Sequence, residues 1–96
     1  MRIEYDRRKR AETLALRGLD MADAAEVLSG PCITFQDDRV DYGEPRFLSV
    51  GLLGGRMVIV AWTPRGDIRR IISMRKANDR DRARYGQDLS DLAGGG

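Results

Sequence analysis

The sequence contains no histidine and only one cysteine, Cys32. Without imidazole, the common acid–base pairs, Ser-His and Cys-His nucleophiles and His-ligated metals are all excluded. A lone thiol forms no internal disulfide and, with neither a second thiol nor a histidine, builds no zinc site, so no cofactor is expected. Lysine is scarce as well: Lys9 and Lys76 stand against fifteen arginines among 17 basic residues. The longest apolar run, residues 57–62, is too short for a membrane span or a signal-peptide core, and charge begins at Arg2. The expectation is a cytoplasmic protein with no membrane partner.

What is present fits one compact domain over residues 1–96, with a flexible tail from about 87. A chain of 96 residues, 42% hydrophobic, can bury roughly two-thirds of its unfolded surface. The charged fraction of 33% is large for so small a core, so much of the chain is a solvated or partner-facing shell. Backbone ordering costs about 1–2 kcal/mol per residue, which leaves a thin stability margin that a bound partner would widen. The net charge of +2 hides an asymmetry: from Ala61 onward there are eight basic against five acidic residues. Arginine grips phosphate through a planar fork and stacks on bases, which suits nucleic acid. GC-rich coding also enriches surface arginine, so composition leaves both readings open.

Periodicity divides the chain into helix, sheet and helix. Residues 3–5 read as a short extended start. Asp6 caps a helix with apolar positions Ala11, Leu14 and Ala15, ended by Gly18. Asp20 caps a second helix whose apolar face is Met21, Ala24, Ala25 and Leu28. Both are short and must pack on something larger. Residues 33–35 alternate as a strand, and 36–45 form an acidic, turn-rich stretch. Residues 47–53 are a strand ending at Gly54-Gly55, 57–63 its near-continuously apolar return, and 68–74 a last strand after a turn at 64–67. Asn78 caps a third helix that Gly86 weakens, and residues 94–96 make a floppy end. The predicted fold is α+β: two N-terminal helices, an antiparallel sheet of about four strands and a C-terminal helix.

Arginines, carboxylates and tyrosines remain as chemistry, and they suit RNA cleavage because the 2′-hydroxyl supplies its own nucleophile. Arg65, Arg69, Arg70, Arg75 and Lys76 lie on or beside one hairpin. Strict alternation points Arg69, Ile71 and Ser73 one way and Arg70, Ile72 and Met74 the other. Converging arginines would dominate phosphate binding; pairing with Asp67, Asp79 and Asp81 on a solvated face is the equal alternative. Glu44, next to Arg46 in the chain but for one proline, is the best-placed base. Neighbouring arginines would lower its pKa, whereas burial would raise it. Tyr85 and Trp62 read as packing residues before stacking platforms, and Cys32 as buried filler.

In order and spacing, Glu44-Pro45-Arg46-Phe47, Gly51, Val60-Ala61-Trp62-Thr63, Arg65-Gly66 and the run from Arg69 to Ala77 resemble the signature of BrnT-type toxins. Tyr5-Asp6 with Lys9, and Arg17-Gly18, resemble that family's N-terminal pattern, and the likeness spans about residues 3–85. It implies a RelE-like ribonuclease fold, RNA cleavage that inhibits translation and arrests growth, and neutralisation by a ribbon-helix-helix, BrnA-like antitoxin; with the residues available, metal-independent cleavage by 2′-hydroxyl attack is expected. Operator DNA would be bound only through the toxin–antitoxin complex, with a homodimer inside a heterotetramer as the assembly. By the same resemblance Arg65, Arg75 and Glu44 are catalytic candidates and Arg46 and Lys76 phosphate contacts, beside Arg69. The family usually has His-Gly where this chain has Arg17-Gly18, and an amide residue in place of Thr13. The different-class alternative is a non-catalytic module, a former toxin that holds its antitoxin and represses transcription.

Overall fold

Local signals fix most of the element ends. Asp6 accepts from Lys9 N and Gly18 closes the same helix at φ 68, a left-handed cap that suits glycine. At the other end of the chain, Asn78 and Asp81 form a reciprocal capping box. A computed structural model describes residues 1–94. It comprises β1 (Arg2–Glu4), α1 (Arg7–Arg17), a 3-10 turn (Met21–Asp23), α2 (Ala24–Ser29), β2 (Cys32–Gln36), β3 (Phe47–Leu53), β4 (Arg56–Arg65), β5 (Ile68–Lys76) and α3 (Asp79–Ala93).

The α+β class holds, with differences in detail. The sheet has five strands in the order β1-β5-β4-β3-β2, not about four, and it is mixed. The extended start is a true strand that adds in parallel to β5, Arg2 opposite Ile68 and Glu4 opposite Arg70. The second helix opens as a 3-10 turn under Asp20, whose side chain accepts from Ala22 N. β4 continues through Pro64 because β3 stops opposite Trp62, leaving one side of β4 without a neighbouring strand. Helix α3 runs through Gly86 to Ala93. Of the floppy end expected at residues 94–96, 95 and 96 lie outside the described residues.

Two cores sit on the two faces of the sheet. One face buries Val58, Val60, Trp62, Ile71 and Met74 against Met21, Ala24, Val27 and Leu28. The other packs Val50, Ile59 and half-buried Ile33 and Leu48 under Leu89 and Tyr85 of α3. Alternation along β5 is broken where Ala61 opposes Ser73 but Trp62 opposes Ile71. Ile72 is the extra, bulged residue. Ile71 and Met74, three positions apart, therefore share a face, and Arg70 and Arg75 share the opposite one. Strict alternation had placed Arg70 and Met74 together, and the bulge corrects this.

Helix α1 overturns a second expectation, since none of its residues is buried and Leu14 and Leu16 remain 48% and 84% exposed. Polar contacts hold it instead. β1 pairs with β5 only as far as Arg70, so carbonyls further along β5 face no strand. Lys9 Nζ donates to Ile72 O at 3.3 Å and an Arg17 guanidinium nitrogen to Met74 O at 2.9 Å. These cations cover an otherwise open sheet edge. Cys32 is half-buried, not core filler.

Candidate nucleic-acid interface

Helix α3 covers only part of its face of the sheet, and the uncovered remainder is a cationic groove. Its floor is formed by Ala61, Thr63 and Ser73, with Arg70 and Arg75 rising from β5. The segment 37–46 forms one wall and the start of α1 the other. Three adjoining concavities follow its length. The first, about 180 Å³, is lined by Lys9, Glu44, Arg46, Thr63, Arg65 and Arg70. The second, about 190 Å³, shares Arg46 and adds Arg39, Tyr42, Ser73 and Arg75. The third, about 310 Å³, shares Arg39 and Arg75 and ends at Phe35, Arg84 and Tyr85.

The 37–46 wall is a pinned loop. Asp37 N donates to Arg46 O at 2.8 Å, which closes its base. Above this, Arg39 grips the Asp37 carboxylate with two nitrogens at 2.7 and 2.8 Å, and the Tyr42 hydroxyl reaches the same carboxylate at 3.2 Å. Gly43 turns the chain at φ 74. The Arg39 hydrogen bonds, ahead of every other influence, pull the Asp37 pKa down to about 2. With its hydroxyl anchored, the Tyr42 ring lies 4.0 Å from the Arg46 guanidinium carbon. Arg46 Nε is buried without a hydrogen-bond partner among the described residues.

The other charges divide between engaged and available. Arg75 donates to Asp81 Oδ2 at 2.8 Å, and that bond is the chief cause holding the Asp81 carboxyl below its usual range. Arg70 meets Glu4 at 3.4 Å, a long contact. Among the described residues Arg46, Arg65 and Glu44 form no ion pair. Thus Glu44, Arg46 and Arg65 converge in one concavity, and Arg75 joins them through the next one, across Arg46.

Arg69 and Lys76 are not part of this groove. Arg69 opposes Pro64 and Lys76 opposes Val58, positions that face the α2 side of the sheet, and the Arg69 guanidinium covers the Trp62 ring at 4.6 Å. Trp62 itself is 8% exposed and donates Nε1–H to Ser49 Oγ at 2.9 Å, so it packs as expected. Tyr85 also packs, stacking on Phe35. Sequence reasoning missed Tyr42 and Arg39, having read residues 36–45 only as an acidic turn. The available signal was an arginine and a tyrosine placed two and five residues after Asp37.

A family model described as "Ribonuclease toxin, BrnT, of type II toxin-antitoxin system" matches residues 5–81. The chain belongs to the BrnT family. Comparison with curated proteins finds no match. As a BrnT-family member this protein is a ribonuclease toxin of a type II toxin–antitoxin system, and its partner is an antitoxin. The matched span takes in strands β2 to β5, the pinned 37–46 loop and Asp81, the carboxylate that orients Arg75. Among the described residues no helix is long and apolar enough to cross a membrane.

Proposed function

We propose that this groove cleaves RNA internally by 2′-hydroxyl attack, without a metal ion. The observation that carries the reading is Arg46, whose guanidinium is stacked on Tyr42, unpaired with any acid among the described residues, and shared by two concavities that also hold Arg65, Arg70 and Arg75. An RNA backbone laid along the groove would meet arginine forks at successive phosphates. Glu44 would accept the 2′-hydroxyl proton as the 2′ oxygen bonds to phosphorus. The bond from phosphorus to the 5′ oxygen then breaks and that oxygen takes a proton from solvent, leaving a 2′,3′-cyclic phosphate and a 5′-hydroxyl. Arg65 and Arg75 would neutralise the extra charge on the phosphorane, with Arg46 holding the phosphate. A donor set so rich in guanidinium repels a divalent cation, which supports the metal-independent route.

In the cell this activity would inhibit translation and arrest growth until a ribbon-helix-helix antitoxin covers the toxin. The test is expression without antitoxin, combined with cleavage of single-stranded RNA in excess EDTA. We expect growth arrest and cyclic-phosphate ends, both relieved by Arg65→Ala or Arg75→Ala with unchanged circular dichroism. Glu44→Gln cutting at the wild-type rate would remove Glu44 as the base. One observation favours a non-catalytic, antitoxin-holding reading: Arg17, where the family usually carries histidine, is occupied at the Met74 carbonyl. Normal growth and intact transcripts on expression of the unaltered chain would leave only that reading.

A further inference from the structure

The third concavity shares Leu48 and Ile59 with the second and differs from both others in carrying the stacked pair Phe35 and Tyr85. Phe35 stands at its rim with 36% of its surface exposed. It stands on the edge strand β2 and packs against α3. Its ring stacks on Tyr85 with centroids 5.9 Å apart and planes 19° from parallel. Three carboxylates line the concavity: Asp37 and Asp81 are bound by Arg39 and Arg75, which offsets their charge toward an anionic chain, and Asp38 forms no ion pair among the described residues. Arg75 belongs to this concavity and to the phosphate-holding one next to it.

We infer that the hollow between Phe35, Leu48, Ile59 and Tyr85 is a nucleobase subsite, which takes one unpaired base of single-stranded RNA while Arg75 holds an adjoining phosphate. A base offers flat apolar faces to an aromatic and aliphatic lining and keeps its polar edge toward water. About 310 Å³ accommodates one base with its water. The inference rests on the ribonuclease reading of the groove but adds a contact that cleavage itself does not require.

The experiment uses the full chain and short 2′-O-methyl oligoribonucleotides, which cannot be cut, with an abasic residue moved along the strand. Binding is read by fluorescence anisotropy. One abasic position should weaken binding by about tenfold, the size of a lost base–aromatic stack. Phe35→Leu should abolish that difference and Phe35→Trp should keep it, whereas Arg46→Ala should weaken intact and abasic strands equally. Equal binding of intact and abasic strands by the unaltered chain overturns the subsite, even if Phe35→Leu does not fold. So does a Phe35→Leu variant that loses antitoxin affinity while its abasic profile is unchanged. Because these oligonucleotides cannot react, a failure of catalysis leaves this result standing, and a failure here leaves the cleavage assay unaffected.

Discussion

The Arg46 guanidinium carbon lies 4.0 Å from the centre of the Tyr42 ring, and the Tyr42 hydroxyl is tied to Asp37. A cation stacked in this way loses less side-chain freedom when it takes up a phosphate. A charged contact of this kind is worth roughly 1.5–3 kcal/mol. Arg46→Ala should therefore reduce kcat/KM for single-stranded RNA roughly 10- to 150-fold. Tyr42→Leu, which removes the stack together with the hydroxyl's bond to Asp37, should cost about two- to fivefold. Wild-type rates in Arg46→Ala would show that the phosphate is held elsewhere.

Acid should loosen the 37–46 wall before it unfolds the molecule. Asp37 has its pKa lowered to about 2 from 3.8 by the Arg39 hydrogen bonds. A lowered pKa means that the contribution is complete above the unfolded value, near ~3.9, and fades as pH falls toward 2. Hydrogen exchange of amides 37–46 should rise across that window, and Asp37→Asn should show the faster exchange already at neutral pH. The Arg10–Asp20 pair, with Asp20 also near 2, serves as the internal comparison on another element: it should respond to acid but not to Asp37→Asn.

The contrast between these two pairs shows what the sequence carries and what it does not. Elements set by neighbours in the chain were legible: the Gly54-Gly55 turn at positive φ, the Asn78 cap, and the β3 and β4 strands. Features set by distant partners were not. Residues 2–4 are too few to signal a strand, and they become one only because the first part of β5 offers a free edge. The Ile72 bulge has no glycine or proline to mark it, yet it decides which arginines share a face. For the candidate groove, Arg46, Glu44 and Arg65 were singled out from local charge and resemblance, and they line one concavity. Tyr42 and Arg39 gain their meaning only when the loop folds back on Asp37.

Gly51 should tolerate no side chain. A Cβ there would lie 2.8 Å from Val27 Cγ1 and 3.2 Å from Cys32 Cβ, so α2 would have to lift from β3. Gly51→Ala should lower stability by about 1–3 kcal/mol, the usual cost of overpacking, as read from urea unfolding. Because Val27 lies on the face opposite the groove, RNA cleavage per folded molecule should not change.

The two faces of the β4–β5 hairpin can be separated by paired substitutions at arginines on either side of its turn. Arg69 lies over Trp62 at 4.6 Å on the α2 face, whereas Arg65 and Arg70 line the groove with Glu44 and Arg46. Arg69→Ala should thus act on stability, by about 0.5–1 kcal/mol from the lost cation–π contact, and leave kcat/KM within about threefold of wild type. Arg65→Ala should do the reverse: its side chain is exposed at the β4–β5 turn, so unfolding should be unchanged while cleavage falls by at least roughly tenfold, the loss expected for one charged phosphate contact. Urea unfolding and initial rates on the same RNA measure both. If Arg69→Ala cripples cleavage in a folded protein while Arg65→Ala does not, the substrate runs along the opposite side of the sheet, where Lys76 also lies.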